Sequence, residues 1–444
     1  MGCDKIVIAL EAGMFLAIAI AVITCGGIIA AILIKPQIGR RIKLDTYWMI
    51  ALLGAILTVL FGCVSPAKAW EAMTADTAIN PFKILVLFLS MTVLSVFLDE
   101  MGFFRYLAGV TLKRAGGSQK KLFLYLYVIV SVLTVFTSND IIILSFTPFI
   151  CYFARSAKIS PVPYLAAEFV GANTWSMALI IGNPTNIYLA TTYGIGFAEY
   201  AAKMFLPTVA AGVVAFFMLF LVYRKELALP MHASGELFRI EDKFSLVVGL
   251  FHLGICTVLL AVGSYFSLPM WLVALFAVIS LIIWNLGIAI RRKRPPRVLA
   301  KCLMRAPWVL IPFVLSMFVV ILGLNEQGVT QAISDFFGTE GTVLKYGTTS
   351  FLVANVINNI PMSVFYCSIA EPLAGEALTA AVYATVIGSN LGALLTPIGA
   401  LAGIMWSNIL KQFSLKFGYL DFLKIGVTVA VPALAASLGV LYLL

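Results

Sequence analysis

Charge is what this sequence has least of: 11% of its 444 residues are Asp, Glu, Lys or Arg, against 62% hydrophobic. Soluble chains carry about a quarter charged residues, and no water-exposed surface can be assembled from so few ionic groups. A soluble enzyme, a disordered scaffold and a conventional nucleic-acid binder are excluded on that ground. Cysteine is sparse and unpatterned. Cys3, Cys25, Cys63, Cys151, Cys256, Cys302 and Cys367 are an odd number without C-x-x-C spacing, mostly inside apolar runs; they read as small core residues, not as a disulfide framework or metal cage. No G-x-x-x-x-G-K-[ST] loop occurs, so the chain does not hydrolyse ATP by that route and its energy must come from an ion gradient or a separate ATPase. Paired carboxylates, a Ser-His pair and G-x-G-D are missing from the apolar runs, which disfavours an intramembrane enzyme and leaves no catalytic residue to name. The start, Met1 to Lys5, lacks the Ser or Thr of a myristoylation signal, and the run after Glu11 has no A-x-A site. The first apolar segment is therefore expected to be a retained span.

What is present is apolar sequence in runs long enough to cross ~30 Å of hydrocarbon. Ten qualify: 12–34, 46–64, 82–98, 164–194, 205–223, 244–263, 270–290, 307–324, 377–409 and 425–444. Two further stretches, 122–154 and 347–370, carry a polar knot midway: Thr137-Ser138-Asn139-Asp140 and Asn358-Asn359-Ile360-Pro361. Leu122 to Phe136 is 15 residues, about 22 Å as helix and too short to cross. Both stretches read as re-entrant helical hairpins. If 35–45, 99–121, 155–158, 224–243, 291–305 and 411–424 are cytoplasmic, they hold 25 of the 30 Lys and Arg, leaving Lys5, Lys68, Lys83, Lys203 and Lys345 outside. That asymmetry follows the positive-inside rule and would be lost if either hairpin were a single span.

The expected fold is an all-α polytopic membrane protein, an inverted repeat of two five-span units, each with a re-entrant hairpin and a broken helix. The first unit covers 1–223, its hairpin 122–154 open to the cytoplasm. A cytoplasmic linker covers 224–243, and the second unit 244–444, its hairpin 347–370 open to the outside. The expected location is the plasma membrane, with both termini outside. Gly171-Ala172-Asn173 stands eight residues before Gly182, as Gly388-Ser389-Asn390 stands eight before Gly399.

Unwound backbone inside a bilayer is tolerated only when buried in protein or lining a polar cavity. Four such places are expected: the hairpin tips at Ser138-Asn139-Asp140 and Asn358-Asn359, and the broken helices at Gly182-Asn183-Pro184-Thr185-Asn186 and Leu395-Thr396-Pro397-Ile398-Gly399. Pro removes a helix donor, Gly relaxes the backbone, and Asn, Ser and Thr supply uncharged hydrogen-bonding groups. The substrate and ion site is therefore assigned to Ser138, Asn139, Asp140, Asn173, Gly182, Asn183, Pro184, Thr185, Asn186, Asn358, Asn359, Gly388, Ser389, Asn390, Thr396, Pro397 and Gly399. Asp140 is the sharpest of them, because a carboxylate in the membrane costs at least ~2.5 kcal/mol. It could carry a proton, coordinate sodium, or merely cap the second hairpin arm. Glu168 reads as structural, one turn into its span and within reach of interfacial water, Arg155 or Lys158. His252 reads as scaffold packing. The run Arg291 to Arg297 reads as an anchor at the lipid bilayer, with anionic lipid as a second role. None of the four motifs holds Lys or Arg, which suits a neutral or weakly charged substrate.

Gly388 to Trp406, GSNLGALLTPIGALAGIMW, resembles the arsenical pump membrane protein family of arsenite and antimonite exporters. Asn358 to Met362 resembles that family's second-hairpin motif, and Ser138-Asn139-Asp140 with Thr147-Pro148 its first. The wider ion transporter superfamily also contains sodium-coupled dicarboxylate symporters and sodium/proton antiporters, and NTWSMALIIGNPTN, Asn173 to Asn186, is similar to its anion and sodium branches. The resemblance implies a scaffold and a mobile transport domain moving as an elevator, often in a homodimer. It implies export of trivalent hydroxides against protons, in some members with a cytoplasmic arsenical pump ATPase. The alternative it implies is a sodium-coupled symporter of a dicarboxylate or other small anion, or a sodium/proton antiporter. No cofactor is expected beyond the coupling ion, H+ or Na+.

Overall fold

A computed structural model describes residues 2–34, 37–38, 42–43, 46–76, 80–231, 239–263, 266, 268–293, 295–415 and 417–444, the side chains of 2–10, 32–34, 37–38 and 42–43 excepted. The side chains of Cys3 and Lys5, the cations Lys35, Arg40, Arg41, Arg294 and Lys416, and linker residues 232–238 lie outside the described residues.

Helix dominates because every backbone polar group must be satisfied within its own segment when no water is at hand. Helices α1 (Gly2–Ile34), α2 (Tyr47–Leu60), α3 (Pro66–Thr74), α4 (Pro81–Glu100) and α5 (Phe103–Ala115) come first, with a short ribbon pairing Gln37–Ile38 and Ile42–Lys43 between α1 and α2. The first hairpin is α6 (Gln119–Phe136) and α7 (Asn139–Ala157), followed by α8 (Val162–Trp175), α9 (Pro184–Thr192) and α10 (Phe197–Tyr223). The second half runs α11 (Lys243–Gly263), α12 (Met270–Arg291), α13 (Arg297–Arg305), α14 (Leu310–Glu326) and α15 (Val329–Phe337). Then come the second hairpin, α16 (Thr342–Ile357) and α17 (Asn359–Ala370), and α18 (Gly375–Gly392), α19 (Leu401–Gln412), α20 (Tyr419–Ile425) and α21 (Val431–Leu443). Among the described residues nine helical stretches are long and apolar enough to cross a membrane, and α2 is a shorter apolar helix. The chain is an all-helical, multi-pass membrane protein.

Both hairpins break where the polar knots fall, at Thr137-Ser138 and at Asn358. Length does not mark the first as re-entrant. Its arms have 18 and 19 residues and qualify as spans by length and composition. The α6 helix is longer than the apolar run because the Ser118 hydroxyl accepts from Lys121 N at its N-terminus and admits Gln119 to Lys121 into the helix. Neighbour relations repeat between the halves. The first hairpin arm packs on the helix that precedes the break, α6 on α8 and α16 on α18, and the closing helix packs on the same partner, α10 on α8 and α21 on α18. Gly388 makes the second of these contacts close: a Cβ there would lie 2.0 Å from Ser350 Oγ and 2.4 Å from the Gly347 carbonyl oxygen.

Ion pairs hold the helix ends. Lys68 bonds Glu326, and Lys83 bonds Asp76. Arg292 bonds Asp242, and Arg305 spans Asp99 at 2.7 Å and Glu100 at 2.6 Å. Burial raises the Asp242 pKa, but hydrogen bonds from Ser245 and Arg292 outweigh it and hold the carboxyl below its ordinary 3.8. His252 lies in α11 between the Val248 carbonyl oxygen at 2.8 Å and Ser280 Oγ at 3.1 Å, a packing position.

Candidate functional site

The first broken helix is interrupted because α8 gives way at Trp175 to two 3-10 turns, Ser176–Ala178 and Ile180–Gly182, joined by an extended Leu179. Gly182 folds back so tightly that a Cβ would sit 2.2 Å from the Ser176 carbonyl oxygen. Asn183 then caps α9, its Oδ1 accepting from Thr185 N at 3.2 Å, with Pro184 at the first helical position where no donor is needed. In the second half Ala393 to Ala400 separates α18 from α19, and the Asn355 carboxamide does the bridging: Nδ2 donates to the Gly392 carbonyl at 3.0 Å and Oδ1 accepts from Thr396 Oγ1 at 2.7 Å.

Each hairpin tip is bonded to the broken helix of its own half. Asn139 Nδ2 donates to Asn173 Oδ1 at 3.1 Å. Asn358 Nδ2 donates to the Ile398 carbonyl at 2.9 Å, and Asn359 N donates to the Gly399 carbonyl at 3.0 Å. Asn358 holds φ at 70° and ψ at 152°, outside the left-handed helical well and in a region that residues with a side chain rarely adopt.

Asn390 joins the halves. Its Oδ1 accepts from Ser176 Oγ and from Asn183 Nδ2, both at 2.8 Å. Its Nδ2 donates to Asn186 Oδ1 and to the Val386 carbonyl, both also at 2.8 Å. All four hydrogen-bonding positions of the carboxamide are used. Asn186 Nδ2 in turn donates to the Ser176 carbonyl at 2.7 Å and Leu179 at 3.1 Å, and Ser176 Oγ reaches the Asn173 carbonyl at 2.8 Å. A continuous polar line therefore runs from the first tip through Asn173 and Asn390 to the first break. Ser138, Asn139, Asn173, Asn183, Thr185, Asn186, Asn358, Asn359, Ser389, Asn390 and Thr396 are all buried, as are Gly182, Gly388 and Gly399; Pro184 and Pro397 are half-buried.

A second class of groups is unsaturated. Ser138 Oγ, Thr174 Oγ1, Asn359 Oδ1 and Ser389 Oγ are buried without a hydrogen-bond partner. An unpaired buried polar atom costs about 1–3 kcal/mol, so a hydroxylated or ionic ligand that reached any of these four would offset that cost. They sit at both tips and beside Asn173 and Asn390. Asp140 lies in the first turn of α7 and is half-buried. It is not the helix cap. Ser138 occupies that position, and Asn139 Oδ1 takes Asp140 N at 2.9 Å. No described residue donates to the Asp140 carboxylate, which leaves both oxygens open beside a helix N-terminus that favours negative charge.

Glu168 corrects the sequence reading. It lies nearly two turns into α8, is 0% exposed, and pairs with neither Arg155 nor Lys158. Helices packed on several sides of α8 bury every residue from Pro163 to Thr174, so interfacial water is out of reach. Sequence reasoning also missed Ser176 and Asn355. Asn355 was detectable as an amide one turn before the Asn358 knot; nothing local distinguishes Ser176.

A family model described as citrate transporter matches residues 28–383. The chain belongs to the citrate transporter family. It is 30% identical over 416 residues to an arsenical pump membrane protein of Escherichia coli, covering 88% of this chain and 92% of that one. It is 26% identical over 423 residues to a putative arsenical pump membrane protein of Bacillus subtilis (strain 168), covering 88% and 93%. These matches bear out the resemblance carried by the motifs around Gly388 and Asn358, and they are membrane transporters by name, not enzymes. Among solved structures the chain is similar to the YdaH transporter of Alcanivorax borkumensis, described as having an unusual topology, with a TM-score of 0.51 at 12% identity over 97% of this chain and 98% of that one. That likeness is one of fold.

Proposed function

We propose that this citrate-transporter-family protein is a secondary active transporter that exports arsenite and antimonite, as trivalent hydroxides, in exchange for protons. The observation that carries the reading is a site of amides and hydroxyls without a cationic side chain. Amides and hydroxyls from both halves surround the breaks, with no Lys or Arg among them, which suits a neutral trihydroxide with several O–H donors and acceptors. The arsenical pump membrane proteins to which the chain is similar support the same substrate. Asp140 is the coupling carboxylate in this reading, and the unsaturated Ser138, Thr174, Asn359 and Ser389 meet the substrate hydroxyls. Gly182, Pro184, Pro397 and Gly399 keep the backbone unwound, and Gly388 keeps α16 and α18 close.

The mechanism proposed is an elevator. The two halves form an inverted repeat, the hairpins and broken helices move as a transport domain against the remaining helices, and both termini face outward across the plasma membrane. Supporting this topology, each ion pair joins groups that the charge count puts on one side: Lys68 with Glu326 outside, Arg305 with Asp99 inside. A homodimer and a cytoplasmic arsenical pump ATPase are the proposed partners. A second reading has its own support in the description of the matching family model, citrate transporter: sodium-coupled symport of a dicarboxylate or other small anion, with sodium rather than a cationic side chain balancing the charge. The deciding experiment is arsenite accumulation in cells lacking their own exporter, with and without this protein and with and without sodium. Lower accumulation independent of sodium is expected; unchanged arsenite accumulation with sodium-dependent carboxylate uptake would replace the first reading by the second.

A further inference from the structure

Glu168 is a carboxyl enclosed by protein at 0% exposure. Thr147 Oγ1 donates to it, 2.8 Å from one oxygen and 3.0 Å from the other. The Trp406 indole N–H lies against the same carboxyl without completing a hydrogen bond. No Lys, Arg or His among the described residues pairs with it. From α7 it meets Thr147 and Cys151, from α19 Trp406, and on α8 itself Tyr164 stands one turn away. The helices α6 and α10 meet α8 with Tyr127, Val130 and Gly212, at Gly171 and Trp175, and none of these is charged. The neighbouring Phe169 is walled by Trp406 at 4.9 Å and Phe422 at 5.4 Å.

An ionised carboxylate cannot be held in such a place by one hydroxyl; it neutralises. We propose that Glu168 is a second proton-carrying carboxyl of the transport cycle, occupied by its proton in the conformation seen here. Its position in the fold is what distinguishes it from a plain structural acid. Thr147 is seven residues from Asp140 on α7, two turns along the same face, so Glu168 lies below the hairpin tip on the line that starts at Asp140. On the other side Tyr164 donates to Gln119 Oε1 at 2.8 Å, and Gln119 Nε2 donates to the Leu229 carbonyl at 2.9 Å, next to the segment joining the halves. Thr147 thus bonds the carboxyl on the side of the tip, and the Tyr164 phenol and Gln119 amide stand between its helix and that segment. The carboxyl is enclosed by α7, α8 and α19, all of the unit that the elevator reading moves, so it is carried with that unit and its access to either side changes from state to state, which is the requirement for binding a proton in one state and releasing it in the other.

The proposal rests on the reading of the chain as a proton-coupled transporter, and its test has one arm that needs no substrate. Infrared spectra of the purified full-length protein in lipid nanodiscs are expected to show the carbonyl stretch of a protonated carboxylic acid that is absent from Glu168→Gln, shifts in Thr147→Val and declines as the medium is made alkaline. In inverted vesicles, arsenite movement by Glu168→Gln is expected to be the same with and without an imposed pH gradient, while Glu168→Asp recovers part of the stimulation. A band that stays constant across the alkaline titration, or a Glu168→Gln protein that keeps full stimulation by the gradient, would overturn the proposal. Should Glu168→Gln not fold, the wild-type titration and the Thr147→Val shift decide it. Wild-type vesicles that move no arsenite would sink the substrate assignment alone, since the infrared arm stands without it.

Discussion

Asn390 and Asp140 represent opposite uses of a polar side chain in the bilayer. Asn390 has no valence left for a ligand: two donors and two acceptors surround it. Removing its carboxamide strands Asn183 Nδ2 in a dry interior, at about 1–3 kcal/mol, and takes from Ser176 Oγ and Asn186 Oδ1 one of their two partners each. Asn390→Ala is therefore expected to lower the unfolding temperature of the detergent-purified protein sharply, and a thermal melt compared with wild type checks it. Asp140 has the reverse profile, an open carboxylate with no donor among the described residues. Asp140→Asn is expected to melt within a degree or two of wild type, an effect of order 0.5 kcal/mol, while abolishing gradient-driven transport; full wild-type transport in proteoliposomes would remove its coupling role.

Helices expose a different set of constraints. The contact of α16 with α18 depends on Gly388, and a methyl group there must displace Ser350 or the Gly347 backbone. Gly388→Ala is expected to cost about 1–3 kcal/mol and to depress transport with it, read by melting and uptake on the same preparation. At the start of α11, Asp242 bonds Ser245 and Arg292 and is held below its ordinary range. A depressed carboxyl stabilises the fold above its unfolded pKa and loses that contribution as pH falls through the lower folded value. Wild type is thus expected to lose stability below the ordinary carboxylate range in a way that Asp242→Asn does not, a difference under about 1 kcal/mol for so exposed a pair. The elements were legible in the sequence to the extent that their cause is local. Long apolar runs announce spans, and Asn358 or Pro184 inside such a run announces a break, because each removes or diverts a backbone hydrogen bond. Short helices such as α5, α13 and α15 went unread since their apolar residues alternate with polar ones and they need not cross. Glu168 was misplaced for a related reason: its burial comes from α7 and α19, elements distant in the chain. The partners of Asn390 were illegible altogether, being more than 200 positions away.

For the whole molecule the charge distribution makes a prediction about sides. In a background whose native cysteines are replaced, a cysteine at Lys113 or Lys301 is expected to react with a membrane-impermeant maleimide only from the cytoplasmic side, and one at Lys345 only from outside. Labelling of both classes from one side would invalidate the two-unit topology. Beyond topology, the bonds of Asn390 bear on how the chain is made. Its partners Ser176 and Asn186 precede it by 214 and 204 positions, which at a synthesis rate of 5–20 residues per second is a wait of roughly 10 to 40 s. During that interval the first half is in the membrane with the Asn183 amide donor unpaired at its break, so the nascent protein needs water, a lipid headgroup or the insertion machinery to shelter that group until the amide that completes it emerges.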